Sequence, residues 1–235
     1  MTETFYKIKT GLPHKIKFAF VSDLHDCDNL PVLKAIGRNN VDAVLVGGDF
    51  IHNNEIYKRG LKFLECSSKK YPTFCSVGNH EKRFKGNIGK EAAKRGAVLL
   101  DNSYTLYNGI LIGGLSSGYE YASAQSKLKN TPAPNVSWLS EFEKQNGYKI
   151  LLCHHPEYYD KYIKSRMIDL TLSGHAHGGQ WRFFGRGVFS PGQGIFPKYT
   201  SGMYDNRLIV CRGLGNPHSI PRINNEPEIV IVELV

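Results

Sequence analysis

The chain has 235 residues, of which 41% are hydrophobic and 22% charged, and this balance is that of a folded protein and excludes a disordered one. Its formal net charge of +9 favours anionic partners such as phosphorylated metabolites, nucleic acid or anionic lipid headgroups. No run approaches the ~20 apolar residues that span a bilayer, and no apolar signal segment opens the chain, so we expect a cytoplasmic protein.

Short apolar runs alternate with helical segments along most of the chain. The predicted strands are Lys15–Ser22, Val41–Gly47, Tyr71–Val77, Ala97–Leu100, Ile110–Leu115, Lys149–Cys153 and Met167–Leu172. Between them, the apolar spacing predicts helices over Leu30–Asn40, Ile56–Ser68, Gly89–Arg95 and Val136–Asn146, with Asn135 or Ser137 as the cap of the last. Such alternation is typical of sheets that are covered by helices.

From about Gly178 onward, glycine, proline and aromatic residues predominate. This stretch predicts loops and short strands, followed by two clear strands at Arg207–Arg212 and Glu228–Val235. Its aromatic residues could wall a pocket for an apolar leaving group, although we expect ordinary packing for Trp181, Phe183, Phe184, Phe189, Phe196 and Tyr199. Because no linker interrupts the chain, residues 1–235 are expected to form a single α/β domain with a partly mixed or antiparallel sheet.

Five short polar motifs each follow a predicted strand. They read SDLH (Ser22–His25), GGD (Gly47–Asp49), GNHE (Gly78–Glu81), CHHPE (Cys153–Glu157) and SGHAHGGQ (Ser173–Gln180). In open α/β sheets, ligands bind outside the carboxyl ends of the strands, so we expect the five motifs to converge on one site. Each motif alone could be a turn or a helix cap, but the five together favour a metal site.

The residue types in these motifs suit divalent metals. Asp23 and His25 are two residues apart, so in extended backbone both side chains project to one side and could share an ion. The two carboxylate oxygens of Asp49 could bridge two cations. The amide oxygen of Asn79 and the imidazole nitrogens of His154, His175 and His177 complete a set without thiolate, which suits Mn, Fe, Co, Ni or Zn.

The series Asp-x-His, Gly-Asp, Gly-Asn-His-Glu, His and Gly-His-x-His resembles the calcineurin-like metallophosphoesterases over nearly the whole chain. The extended motif Ser173–Gln180 and the tail Gly213–Leu234 are similar, more narrowly, to a bacterial subgroup of single-domain phosphodiesterases. Some members of that subgroup act on membrane-lipid precursors or related pyrophosphates. The resemblance implies a four-layer α/β/β/α sandwich of two mixed β-sheets flanked by helices.

The resemblance also implies a role for each residue of the site. One metal ion would be held by Asp23, His25 and His177, and the second by Asn79, His154 and His175, with Asp49 bridging both. His80 would contact the phosphate and act as general acid or transition-state stabiliser. Two divalent ions are expected, with manganese first and iron, zinc, nickel or cobalt as alternatives.

The remaining histidines have less support. His52 could orient a metal ligand, but we expect it in an exposed loop. His155 is expected either behind the ligands or facing the substrate, whereas His14 and His218 are expected at the surface.

These residues predict a metal-dependent phosphohydrolase that cleaves phosphodiester or pyrophosphate-type bonds with a metal-activated water. Purple acid phosphatases and protein Ser/Thr phosphatases are disfavoured, because the run after Asp49 reads FIHN and lacks their tyrosine and arginine. The alternatives are a metal-dependent nuclease, or a non-catalytic interaction module on the same scaffold. The expected partners are a small phosphate ester or a lipid-linked pyrophosphate and a peripheral membrane contact, with no stable nucleic-acid partner.

Overall fold

A computed structural model of the chain describes residues 1–120, 131–216 and 220–235. The strands in these ranges are β1 (Thr2–Ile8), β2 (Ile16–Val21), β3 (Ala43–Val46), β4 (Thr73–Ser76), β5 (Val98–Leu100), β6 (Ser103–Tyr107), β7 (Ile110–Leu115), β8 (Tyr148–Cys153), β9 (Leu170–Ser173), β10 (Arg182–Phe183), β11 (Arg186–Gly187), β12 (Phe189–Ser190), β13 (Gly194–Ile195), β14 (Gly202–Tyr204), β15 (Leu208–Val210) and β16 (Glu228–Leu234). The helices are α1 (Asn29–Arg38), α2 (Lys58–Ser68), α3 (Asn79–Lys82), α4 (Ile88–Ala93) and α5 (Leu139–Phe142).

Two six-stranded sheets form the centre of the protein. The first has the order β1-β16-β2-β3-β4-β5, in which β2 to β5 are parallel and β16 runs antiparallel to β2. The second has the order β14-β15-β9-β8-β7-β6, in which the four inner strands are parallel and both outer strands are antiparallel to their neighbours. Both sheets are therefore mixed.

The two sheets pack face to face through one apolar cluster. Phe18, Phe20 and Leu45 from the first sheet meet Ile150 and Leu172 from the second. The intervening residues of β2, Ala19 and Val21, belong instead to the cluster on the opposite face of the first sheet. This alternation follows the two-residue period of a strand, and it explains why β2 is apolar at every position from Phe18 to Val21.

Helices cover the outer face of each sheet. Val32 and Ile36 of α1 and Leu61 and Leu64 of α2 pack on the first sheet. On the second sheet, Leu139 and Phe142 of α5 pack with residues of the π-helical turn Tyr159–Ile163. The four layers are helix, sheet, sheet and helix, so the predicted fold class is confirmed.

Side-chain caps start two of the helices. The Asp28 carboxylate accepts a hydrogen bond from the Leu30 N–H at 3.1 Å, and the Asn87 side chain accepts one from the Lys90 N–H at 2.8 Å. Both satisfy backbone donors that a first helical turn leaves unpaired.

The predicted helix at Val136–Asn146 is only partly present. Its helical residues are those of α5, and Trp138 rather than Asn135 or Ser137 occupies the cap position. The Asn135 side chain accepts hydrogen bonds from the backbone and hydroxyl of Ser137, which closes a turn before the helix starts. Asn135 therefore ends the preceding loop.

Within residues 1–120, 131–216 and 220–235, no helix has the length and apolar character that crossing a bilayer requires.

The core between the sheets makes a stability prediction. Phe18 is fully buried there, so Phe18→Ala removes a buried aromatic ring and leaves a cavity in the core. We expect the free energy of unfolding to fall by about 3–5 kcal/mol in a urea titration. Leu106→Ala is the control, because Leu106 lies on the outer strand β6 and is 65% exposed. A loss as large in the control as in Phe18→Ala would contradict this description of the core.

Candidate metal centre

The structure brings the five polar motifs together at the carboxyl ends of strands from both sheets. They follow β2, β3 and β4 in the first sheet and β8 and β9 in the second. The Asp23 N–H donates to the Gly48 carbonyl at 3.1 Å, which joins two loops of the first sheet. The His175 N–H donates to Asp23 Oδ2 at 3.0 Å, which joins the loops of the two sheets. The site is therefore built on rigid strand ends that face each other.

Asp23, His25 and His177 form a first group of ligand atoms. These atoms lie within 4.8 Å of one another, and all three residues are buried. Asp23 Oδ1 is 3.8 Å from His25 Nε2 and 3.5 Å from His177 Nε2. One carboxylate and two imidazoles at these separations can hold one cation.

Asp49, His154 and His175 form a second group within the same limit of 4.8 Å. Asp49 Oδ2 is 3.1 Å from His154 Nε2, and it is also 3.8 Å from His25 Nε2 of the first group. The Asp49 carboxylate thus lies between the two groups. Asn79 is buried and is the first residue of α3. The residue before it, Gly78, lies against the Asp49 carboxylate.

The donor atoms fit a pair of divalent ions. Both ring nitrogens of His25 and Oδ1 of Asn79 are buried and have no hydrogen-bond partner among the described residues. Buried polar atoms nearly always have a partner, so such a concentration of unpartnered atoms indicates that another group satisfies them. Oxygen and imidazole donors without thiolate suit Mn, Fe, Co, Ni or Zn.

The charges of the two groups are unequal. Burial alone would raise the pKa of Asp49, but the neighbouring histidines, His154 foremost, lower it well below its usual value. Burial opposes protonation of His154 as well, yet the Asp49 carboxylate raises the pKa of His154 to about 10. At His25, burial and then the charge of His80 lower the pKa well below its usual value. Without metal, His154 therefore carries a proton and His25 does not.

Glu81 fixes the loop that carries Asp49. Its carboxylate is fully buried and accepts hydrogen bonds from the backbone N–H groups of Asp49 at 2.7 Å, Gly78 at 2.8 Å and Ile51 at 3.1 Å. Burial and then the charge of Asp49 raise the pKa of Glu81 to about 8, and the backbone donors of Ile51 and Asp49 oppose this shift. Glu81 is a buried support of the site that sequence reasoning treated only as a cap.

His80 lies at the opening of the site. Its side chain is 14% exposed, whereas the Asp49 side chain is 2% exposed, and its Nε2 is 3.8 Å from Asp49 Oδ2. Its Nδ1 contacts the carbonyl oxygen of His52, which orients the ring. The backbone N–H of His80 donates to Asp49 Oδ1 at 2.8 Å. His80 is therefore held by both its ring and its backbone.

His52 differs from its predicted position in an exposed loop. It is half-buried, and its ring stacks on that of His80 with 5.3 Å between centroids. Its ring contacts with His80 and His25 place the loop after Asp49 next to the site. The alternative role, in which His52 orients a residue of the site, agrees with this position.

His155 lies behind the ligand groups and is fully buried. Its Nε2 is 2.8 Å from the Ser117 hydroxyl, its Nδ1 is 3.3 Å from Glu157 Oε1, and its ring centroid is 4.2 Å from that of His175. Of the two predicted positions, the structure shows the one behind the ligands. His14 is exposed as expected, and His218 lies outside the described residues.

Unusual backbone conformations place the ligands. Asp23, His25, Asp49, His175 and His177 all have φ between 44° and 62°. This left-handed region costs a non-glycine residue ~1–2 kcal/mol, and such strain concentrates at functional sites.

Two glycines allow the loops to approach each other. A Cβ at Gly174 would lie 1.8 Å from the Ser22 hydroxyl, and one at Gly78 would lie 2.2 Å from Asp49 Oδ1. No side chain fits at either position without displacing a group of the site.

The C-terminal tail holds the loop of His177. The Asn225 side chain donates to the carbonyls of His177 at 2.7 Å and Gln180 at 3.1 Å. Arg222 Nη2 donates to the Gly215 carbonyl at 2.6 Å and lies 3.4 Å from His177 Nδ1. Both residues belong to the tail Gly213–Leu234, but the sequence assigned them no role, because they lie some 45 positions from the loop that they contact.

Comparison with known proteins gives concordant matches. A family model described as calcineurin-like phosphoesterase matches residues 16–179. The chain is 29% identical to an uncharacterized metallophosphoesterase of Bacillus subtilis over 232 residues. The match covers 92% of this chain and 76% of that protein. The chain is 26% identical to the phosphodiesterase YaeI of Escherichia coli over 253 residues, and this match covers 93% of this chain and 82% of that protein. A phosphopantetheinyl hydrolase from Mycobacterium tuberculosis shares the fold, with a TM-score of 0.51 and 12% identity over 86% of this chain and 90% of that one.

The proton on His154 makes metal binding dependent on pH. Because the pKa of His154 is raised to about 10, a cation that binds there at neutral pH must displace a proton. We expect the affinity for Mn²⁺ to rise by up to about tenfold per pH unit between about pH 6 and 8. Calorimetry in two buffers of different ionisation enthalpy measures the released proton. A binding constant that does not change over this range would contradict the protonated Asp49–His154 pair.

Proposed function

Because the chain belongs to the calcineurin-like phosphoesterase family and is thereby a metal-dependent phosphoric ester hydrolase, we propose that it cleaves phosphodiester or pyrophosphate-type bonds of small molecules. The observation that supports this most is the pair of ligand groups that meet at Asp49. A relative that is named a phosphodiesterase, 26% identical over 93% of this chain, favours the diester.

In this proposal, seven residues hold two ions. Asp23, His25 and His177 hold the first, Asn79, His154 and His175 hold the second, and Asp49 bridges both. When bound, two divalent ions neutralise the phosphate oxygens and activate a water near neutral pH. The protein supplies the fixed geometry, because each ligand follows a strand of one of the two sheets.

His80 is the proposed general acid. The His52 carbonyl accepts the proton of Nδ1, and Nε2 is then directed at the space in front of Asp49. A proton on Nε2 can pass to the departing oxygen of the ester or stabilise its charge. Because the His80 side chain is more exposed than that of Asp49, a substrate can reach the His80 ring from solvent.

Several parts of the sequence-based prediction stay predictions. They are the single domain over residues 1–235, the loading with manganese, the cytoplasmic location, and the lipid-linked pyrophosphate as one form of the substrate. Hydrolysis of bis(p-nitrophenyl) phosphate with Mn²⁺, with EDTA and with other divalent metals tests the activity and the choice of metal. Single-stranded DNA as a substrate tests the alternative nuclease.

Replacing the acid separates catalysis from metal binding. We expect His80→Ala to keep both metal ions and to lose about 10²–10⁴-fold in kcat, because only proton donation and charge stabilisation are removed. Metal content is measured by mass spectrometry and turnover with bis(p-nitrophenyl) phosphate. His14→Ala, at an exposed histidine outside the site, is the matched control. Full turnover in His80→Ala would show that another group is the acid.

Replacing the bridge removes both metal and activity. Asp49→Asn keeps the size of the side chain, and asparagine tolerates the φ of 52° at this position. It loses the charge and one anionic oxygen, so we expect less than one bound ion per chain and turnover at the background rate. Circular dichroism verifies that the variant is folded. A folded Asp49→Asn protein with two ions and normal turnover would exclude Asp49 as the bridge.

A further inference from the structure

Exposed apolar side chains cluster beside the His177 turn. They stand on the short hairpins β10–β11 and β12–β13 and in the residues that flank them, and we call this surface the aromatic face: Trp181, Phe183, Phe184, Ile195 and Phe196. Phe184 is 104% exposed and Phe196 is 80% exposed. The expectation of ordinary packing is therefore wrong for most of this stretch, and Tyr199 is the aromatic residue in it that is fully buried.

Backbone hydrogen bonds connect the segments that carry the aromatic face. The Val188 N–H donates to the Trp181 carbonyl at 2.9 Å, and the Phe196 N–H donates to the Val188 carbonyl at 2.8 Å. Ile223, which is also exposed, pairs with Trp181 on the other side. Backbone hydrogen bonds thus hold the two hairpins and the tail side by side, so the exposed apolar residues stand on neighbouring segments.

Two of the exposed aromatic residues have an unfavourable backbone. Phe184 has φ of 51° and Phe196 has φ of 52°. Glycine or asparagine adopts this conformation with less strain, and a turn that only reversed the chain would use one of them. Neither ring is buried, so packing inside the protein does not explain a phenylalanine at either position.

The chain segment that carries the two hairpins contains basic residues and no acidic ones. Residues 181–204 contain Arg182, Arg186 and Lys198 and no aspartate or glutamate. Arg186 is exposed at the start of β11, and no carboxylate of the described residues forms an ion pair with it. Lys198 is partly neutralised, since its ammonium group is 2.6 Å from Asp160. The surface therefore combines aromatic tips with net positive charge.

We propose that the aromatic face docks the protein onto an anionic lipid bilayer. Aromatic tips enter the interface between headgroups and acyl chains, and basic residues attract the anionic headgroups, so both signals for stable surface binding are present. A second copy of the chain fits less well, because two such faces would bring like charges together. This inference rests on the proposed function for its purpose: three residues separate His177 from Trp181, so docking would bring the site to phosphate esters of lipids.

Vesicle sedimentation tests the docking without catalysis. The full chain is mixed with phosphatidylcholine vesicles, with and without phosphatidylglycerol, and the bound fraction is measured. The test variant is Phe184→Ser with Phe196→Ser. The matched control is Phe5→Ser with Leu106→Ser, which removes side chains that are 63% and 65% exposed on the outer strands β1 and β6.

We expect the wild-type chain to prefer the anionic vesicles and the test variant to bind them about tenfold more weakly or less, with the control within about twofold of wild type. Arg186→Gln should weaken binding to the anionic vesicles alone. Hydrolysis of bis(p-nitrophenyl) phosphate in solution should be unchanged in all three variants.

Equal binding to both kinds of vesicle, no binding, or an equal loss in the control variant would overturn the proposal. Light scattering that shows a dimer in wild type and a monomer in the test variant would overturn it too, in favour of contact between copies of the chain. Vesicle binding without any metal-dependent hydrolysis would instead count against the proposed function alone.

Discussion

The Asp49 carboxylate has to face two groups of histidines at once, and the surrounding structure holds it in that position. One oxygen accepts the backbone N–H of His80, which leaves the other directed at His25 and His154. The backbone of Asp49 is fixed in turn by the buried Glu81, whose side chain accepts the Asp49 N–H. If this carboxylate moved, the two groups would have no ligand in common, and two cations could not be held next to each other.

The convergence of the proposed ligands could be predicted from the sequence, whereas the residues that support them could not. Asp23, Asp49 and Asn79 follow apolar strands, and strand ends on the same side of a sheet must meet. Asn225 and Arg222 hold the His177 loop from the far end of the chain, and no local pattern indicates such a contact. The left-handed conformations of the ligands are equally invisible, because only tertiary contacts stabilise them.

The same distinction applies to the fold. Central strands such as β2 are buried on both faces and read as apolar runs, so the sequence predicts them. Strands β1 and β6 were not predicted, because they lie at the edges of their sheets and none of their residues is fully buried, so polar and apolar residues mix along them. For the stretch of the aromatic face, the sequence predicts loops and short strands but not their bounds, because two-residue strands have no period. The exposure of its aromatic residues was not predicted, because large aromatic side chains are usually packed.

The proposed pair of ions can be located by anomalous scattering from crystals grown with Mn²⁺. We expect two peaks about 3.5–4 Å apart, with Asp49 in contact with both. The first peak should also contact Asp23, His25 and His177, and the second Asn79, His154 and His175. A single peak, or peaks that Asp49 does not bridge, would show that the site does not hold such a pair.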